Sequence, residues 1–364
     1  MKKILVLPVL LALLVFSCTK TEQSTLPKNA TLDFEQAAPS NMAGGGPGRG
    51  CATNEVHARN LLENPGLAKK MNDIEEFTKK AMADPSTFKI VNGVLEIPVH
   101  INLLYRTTAE NIGNAELQSQ IDVLNKDFEA TNSDYNQIPA PFTPVASGDV
   151  KIKFVWTIAN LTRKPTTKTS WGTRDAMKST KSGGLNPVSP TTTLNIWVCT
   201  IGGGILGYAQ FPGGRSTTDG IVLDSKYVGI TSNTGASYPY NLGRTATHEV
   251  GHYFNLRHIW GDATCGTDFV ADTPAHNTAN YGVPTYPHLS TCTGTPIEMT
   301  MNYMDYTDGS CQNMFSAGQN VRIQATVNST TNSRNNLWTP ANLIATGTND
   351  GYVAPLCIAK ADFA

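Results

Sequence analysis

The spacing of apolar residues divides the chain into segments of different kinds. Val94 to Tyr105 (VLEIPVHINLLY) is apolar almost throughout and predicts a long strand. Val150 to Ala159 (VKIKFVWTIA) alternates, and Thr193 to Thr200 and Asp219 to Leu223 are shorter strand candidates. Between the first two strands, Ala115 to Ala130 sets Leu117, Ile121, Val123, Leu124 and Phe128 at helical spacing. A further helical segment lies near residue 245. Strands separated by a helix predict an α/β layer over a sheet. Asn54 to Asp84 is helical and charged, with Leu61, Leu62, Ile74 and Phe77 as its apolar marks, and is too short and polar to form a domain alone. Beyond His258 the chain is loop-rich for about fifty residues.

The ends differ from this middle. Lys2 and Lys3 precede an apolar run from Ile4 to Phe16, long enough for a signal sequence and too short to span a bilayer. Val15-Phe16-Ser17-Cys18 is similar to a bacterial lipobox, whose cysteine takes lipid; the alternative is an ordinary signal peptide with an incidental cysteine. Either way residues 1–18 predict export into an oxidising compartment. Residues 19–50 are rich in Thr, Ser, Asn, Gly and Pro and read as a tether. The resulting division is a signal (1–18), tether and propeptide (19–88), catalytic domain (89–338) and C-terminal tail (339–364). Composition narrows the function. With 28 Lys and Arg against 29 Asp and Glu, the net charge is −1, which argues against bulk nucleic-acid binding, since that needs a basic surface.

The chemistry is concentrated in His248-Glu249-Val250-Gly251-His252-Tyr253-Phe254-Asn255-Leu256-Arg257-His258. On a helix, His248 and His252 project from one face, one turn apart, and can ligate one zinc ion. Glu249 is rotated about 100° from them and is placed to act as general base. In a continuing helix His258 would lie about 9 Å along the axis from His252, too far to share an ion. The helix must therefore end between them, and Asn255 tolerates the left-handed turn this requires. Three protein ligands leave one position open, the catalytic arrangement, and metal-assisted amide hydrolysis follows.

This segment resembles the zinc helix of the metzincin metallopeptidases, HExxHxxG/NxxH. Asn302-Tyr303-Met304-Asp305-Tyr306 is similar to their Met-turn, with Met304 beneath the metal and Tyr306 matching a tyrosine that contacts zinc or the oxyanion. Within metzincins, His248 to Asp262, Asp268 to Pro274 and Met301 to Phe315 resemble the pappalysin family of the ulilysin and cytophagalysin type, over roughly residues 90–335. The resemblance implies an α+β catalytic domain: a twisted, mostly parallel sheet with an antiparallel edge strand and two long helices above the cleft, and a loop-rich lower part. It implies protein or peptide substrates bound extended along an edge strand near Ile205 to Pro212. It further implies calcium bound around Asp268, Asp272 and Thr273, and a disulfide between Cys265 and Cys292. A second family bridge would join Cys311 to a cysteine at position 283, where this chain has Val283; Cys311 is then free or paired elsewhere, with Cys357 one candidate. Acids near Tyr306 recognise basic side chains in several members, and Asp308 is the one acid in Thr307-Asp308-Gly309-Ser310.

Cys51, in Gly48-Arg49-Gly50-Cys51-Ala52, resembles the cysteine switch of zymogens, in which a thiolate fills the open zinc position; a disulfide is its other use. Cleavage near residues 80–92, by an activating protease or by autocleavage, would then activate the enzyme and, if Cys18 carries lipid, release it from the membrane. The competing readings are an exported binding module or pseudo-peptidase with a structural metal, or another zinc hydrolase. Glu249 argues against the first, and Met304, Tyr306 and His258 together against the second.

Overall fold

The computed structural model describes residues 50–84, 93–230 and 239–348; the signal, the tether, Cys18 and Cys357 lie outside them. No helix among the described residues is long and apolar enough to cross a membrane.

A seven-stranded sheet carries the upper part. Its centre is β2 (Leu95–Tyr105), which is buried on both faces, as its near-continuous apolar sequence requires. One side of β2 pairs with β5 (Leu194–Cys199). Its other side pairs first with β3 (Ile152–Val155) and then with β4 (Leu161–Pro165). Beyond β5 come β7 (Ile221–Asp224) and β6 (Ile205–Ala209), and β1 (Gly50–Cys51) closes the edge. All pairings are parallel except β6 with β7, so the expected antiparallel strand is β6, and β1 lies along its outer edge. The alternating stretch expected as one strand over 150–159 is interrupted. Trp156 donates its indole N–H to Asn160 O, a tight turn occupies Ile158–Asn160, and pairing resumes in β4.

Two helices cover one face. In α3 (Asn114–Phe128), Leu117, Ile121, Leu124 and Phe128 are buried against the sheet and against α4 (Arg244–Tyr253). All ten residues of α4 are buried, so it has no polar face to betray it in sequence. Polar bonds replace that face. Arg244 grips Asp134 with two 2.6 Å bonds, and Thr247 donates to Asp127 at 2.7 Å. Tyr303 OH donates to Asp127 from the opposite side at 2.9 Å. Burial pushes the Asp127 carboxyl up to about 6 although Arg244 and both hydroxyls pull it down.

The lower part, from His258 to Phe315, is built of turns and the Cys265–Cys292 disulfide, whose members are 27 residues apart. Cys311 forms no disulfide among the described residues. Two helices follow: α5 (Ala317–Asn328), entered through a Ser316–Gln319 capping box, and α6 (Pro340–Thr346). The latter falls in the stretch read as a tail. Thr339 caps it, Pro340 opens it and Gly347 ends it, while Leu343 is buried.

The N-terminal helices α1 (Thr53–Glu63) and α2 (Leu67–Ala83) carry the charged pattern seen in the sequence. The first packs on β6, and the second on α5. There Glu75 accepts both Nη groups of the buried Arg322, at 2.7 and 2.9 Å, and Arg322 also donates to Asn255 O.

Candidate metal centre

The geometry of the centre begins with the end of α4. Asn255 adopts φ 70°, and Leu256 N–H and Asn255 N–H return to Gly251 O and His252 O. This is the Schellman arrangement, with Leu256 buried as its apolar partner. The chain reverses there, as the histidine spacing predicts, and brings His258 back toward α4. His252 Nε2 lies 3.1 Å from His248 Nε2 and 3.1 Å from His258 Nε2. Cys51 Sγ lies 3.7 Å from His252 Nε2. The four ligand atoms all fall within 4.8 Å of one another.

These distances fit zinc. Bonds of about 2.0–2.1 Å to nitrogen and about 2.3 Å to sulfur, in a tetrahedron, set nitrogens about 3.3 Å apart and sulfur about 3.6 Å from nitrogen. The donor set of three imidazoles and one thiol suits the same ion. Without a cation the Cys51 thiol is disfavoured as an anion, since burial and then the Glu249 carboxylate push its pKa up; direct ligation reverses this.

Each imidazole is aimed by its other nitrogen. His248 Nδ1 bonds Tyr303 O at 2.7 Å, His252 Nδ1 bonds Leu256 O at 2.8 Å, and His258 Nδ1 bonds Asp262 Oδ1 at 2.6 Å. All three bonds orient Nε2 toward the common point. Burial would raise the Asp262 carboxyl, but His258 outweighs it and holds the group down at about 2. Asp262 stands four residues beyond His258, a spacing in the sequence that could have identified it as the partner of this ligand. Trp260 stacks on His258 at 4.4 Å between ring centroids.

Beneath the histidines, Met304 is fully buried, and a methyl group at Gly251 would lie 2.4 Å from its Sδ. The turn carrying it is tied by Asn302, whose carbonyl oxygen accepts from Met304 N–H and whose amide donates to Gln319. Glu249 is buried beside the cluster, against β6; a side chain in place of Gly207 would meet its Cγ at 3.1 Å.

The N-terminal segment covers this centre more extensively than a single cysteine would. Cys51 pairs with Gly207 of β6, and Ala52 N–H donates to Gly207 O. Thr53 Oγ1 donates to Glu249 Oε2 at 3.0 Å and accepts from Ala209 N–H at 2.9 Å. Asn54 Nδ2 lies 3.3 Å from His258 Nδ1. Tyr306 packs its ring on His258 at 4.8 Å and donates its hydroxyl to Cys51 O at 3.4 Å. Thr53 and Asn54 escaped the sequence reading because nothing in Thr-Asn at a helix start distinguishes a cap from a cleft contact.

Other expected site residues lie outside this cluster. Asp272 accepts from Ser316 Oγ and Gly318 N–H, both at 2.7 Å, at the start of α5. Asp268 is buried and accepts from Thr273 Oγ1. The carboxylates expected to hold calcium thus also accept hydrogen bonds within the protein. Asp308 is half-buried, with its backbone N–H on Gly282 O.

A sheet of this topology above three converging histidines and a buried glutamate defines a metallopeptidase of the metzincin kind. The family profile described as "Pregnancy-associated plasma protein-A", a peptidase family, matches residues 196–328. The extracellular metalloprotease of Verticillium alfalfae is 32% identical over 241 residues, covering 63% of this chain and 78% of that one. Extracellular metalloprotease 1 of Coccidioides posadasii is 30% identical over 260 residues, 67% and 81% of the two chains. Among solved structures, mature mirolysin of Tannerella forsythia in complex with a cleaved peptide is 39% identical with a TM-score of 0.65, covering 69% of this chain and 98% of that one. A promirolysin mutant from the same organism is 34% identical with a TM-score of 0.71, covering 82% and 98%. The chain belongs to the pregnancy-associated plasma protein-A (pappalysin) family of zinc metallopeptidases.

Proposed function

We propose that the chain is an exported zinc endopeptidase made in a latent form. The observation behind this reading is the convergence of three imidazole Nε2 atoms with Glu249 at their side. His248, His252 and His258 would hold the zinc. Bound zinc lowers the pKa of water to about 7 and polarises a substrate carbonyl. Glu249 takes the proton from the attacking water and delivers it to the leaving amine. Tyr306, once freed from Cys51 O, donates its hydroxyl to the developing oxyanion. Once β1 has left it, the outer edge of β6 pairs with the backbone of an extended peptide, and Asp308 supplies one acid for a basic side chain.

Cys51 is the fourth ligand in the latent form, and Thr53 occupies the general base at the same time. The two mirolysin structures support a removable segment. Each is covered to 98%, yet the pro-form spans 82% of this chain and the mature form 69%. The difference of 13% of 364 residues is about 47, comparable with the stretch that bears α1 and α2. Residues 1–18 direct export, with Cys18 either lipidated or removed. Asp268, Asp272 and Thr273 would hold calcium, and their hydrogen bonds within the loop and to the start of α5 fix these oxygens in place.

Glu249→Ala in the activated enzyme is expected to lower casein cleavage by about 10²–10⁴-fold while leaving zinc at about one per chain. Full activity in that variant refutes the role. Cys51→Ala should speed conversion of the latent chain to its cleaved, active form, followed with the same substrate; conversion at the wild-type rate refutes the thiol latch.

A further inference from the structure

Behind Tyr306, in the loop-rich lower part, three buried polar side chains meet: Asn280, Glu298 and Asp305. One amide links the two acids. Asn280 Nδ2 donates to Glu298 Oε2 at 2.7 Å and to Asp305 Oδ2 at 3.0 Å. The other oxygen of Asp305 accepts two backbone bonds, from Asn280 N–H at 2.9 Å and from Tyr306 N–H at 2.8 Å. Gln312 Nε2 donates to the Asp305 carbonyl at 2.7 Å, and Asn277 N–H to the far oxygen of Glu298 at 2.7 Å. Among the described residues, the only ion-pair partners of these acids are His276 and His288, at 3.6 to 3.9 Å. His276 Nε2 accepts from Met299 N–H, which leaves Nδ1 as the protonated nitrogen of the neutral ring. Tyr306 itself meets its neighbours through ring contacts, with centroids at 4.8 Å from His258, 4.7 Å from Trp260 and 5.9 Å from Tyr281.

Three donors converge on the Asp305 side chain. A carboxylate, with two acceptor oxygens and no donor, satisfies all three, whereas an asparagine amide would turn its NH2 against that of Asn280. Two buried acids with no lysine or arginine beside them are disfavoured by lost hydration and by each other. A turn that only needed bracing would be served better by apolar side chains. What the pair supplies instead is a set of directional bonds, one of them on the backbone of the residue that faces the metal centre. Ring contacts confine the tyrosine, but this bond fixes the point from which its hydroxyl hangs. We infer that Asp305, clamped by Asn280, is a positioning residue for Tyr306 and sets its hydroxyl where the oxyanion of the substrate forms. This rests on the reading of Tyr306 as the donor to that oxyanion.

The test is a double-mutant cycle on full-length chains activated by limited proteolysis, with kcat and KM measured on one fluorogenic peptide. Tyr306→Phe should lower kcat by about 10²–10³-fold. Asp305→Ala should lower kcat by about 10–100-fold with KM nearly unchanged, and Asp305→Asn, which keeps an acceptor for the two N–H groups, by less. In the Tyr306→Phe background, Asp305→Ala should lower kcat hardly further, because the hydroxyl it positions is already gone. Calorimetry with a phosphinic peptide, whose anionic oxygen takes the place of the oxyanion, should show Kd rising by the same factor as kcat falls in Asp305→Ala. Losses that multiply across the two backgrounds make Asp305 a structural brace and overturn the proposal. A wild-type kcat in Asp305→Ala, or an unchanged Kd beside a lowered kcat, also overturns it. Should Asp305→Ala not fold, Asn280→Ala removes the clamp, leaves the acid, and is judged by the same cycle. A wild-type kcat in Tyr306→Phe takes the tyrosine out of the proposed function and this proposal with it, whereas multiplying losses overturn this proposal alone.

Discussion

The layer above the metal and the layer below it are held together by different physics. Above, β2, β5 and α3 bury apolar side chains at regular intervals, so each contact is one of many similar ones. Below, from His258 to Phe315, the chain turns repeatedly, and single bonds fix it: the Cys265–Cys292 bridge, Asn302 on Gln319, Asn280 on Glu298 and Asp305. The upper layer tolerates loss of any one contact better than the lower. The histidine cluster is supported accordingly. His248 and His252 belong to the regular layer, while Tyr303 O and Met304, which orient and underlie them, belong to the irregular one.

Removing the bridge is the largest expected perturbation of this contrast. Cys265→Ser with Cys292→Ser should cost about 3 kcal/mol, from the entropy of the reopened loop, read as a lowered denaturation midpoint. The effect should be strongest in hydrogen exchange of residues 260–300, with α3 and β2 protected nearly as before. Uniform loss of protection would show the two layers to be one cooperative unit. Gly251→Ala probes the seam between them. Its methyl would lie 2.4 Å from Met304 Sδ, so a loss of about 1–3 kcal/mol is expected, with Met304→Ala restoring part of it. Unchanged stability would mean that the Met-turn yields freely.

The smallest effect concerns Asp268. Burial pushes its carboxyl up to about 7, against the hydroxyl of Thr273 and the N–H of Val270. The folded state thus holds a proton that the unfolded chain releases near pH 4. Stability from this group is full below about pH 4 and is lost as pH rises toward 7. Asp268→Asn should flatten that slope in calcium-free thermal melts between pH 5 and 8, and should lose any rise in Tm that calcium gives the wild type. An equal calcium-induced rise in both would remove Asp268 from the calcium reading.

The same contrast explains what the sequence disclosed. Strands and α3 were visible because burial repeats with a fixed period. The histidine cluster was visible for another reason: coordination distances leave few spacings that work, and Asn255 fell where the turn had to be. Cys265 and Cys292 came from family likeness, since neither spacing nor composition selects a partner. The anchors were hidden. Arg244, Asp127, Asp134 and Tyr303 make one network across positions 127 to 303, and no local pattern connects them. Strand β4 was missed because its residues are half-buried without alternation, and Glu75 because a lone acid on a charged helix looks like its exposed neighbours.

Arg322 deserves a last consequence. Its bond to the carbonyl of Asn255 makes α5 a strut for the very turn that swings the third histidine into line. A protein truncated before residue 317 would keep every ligand and every oxygen that aims one, yet lose the brace on that hinge. In this architecture a helix that supplies no ligand braces the histidine cluster from behind.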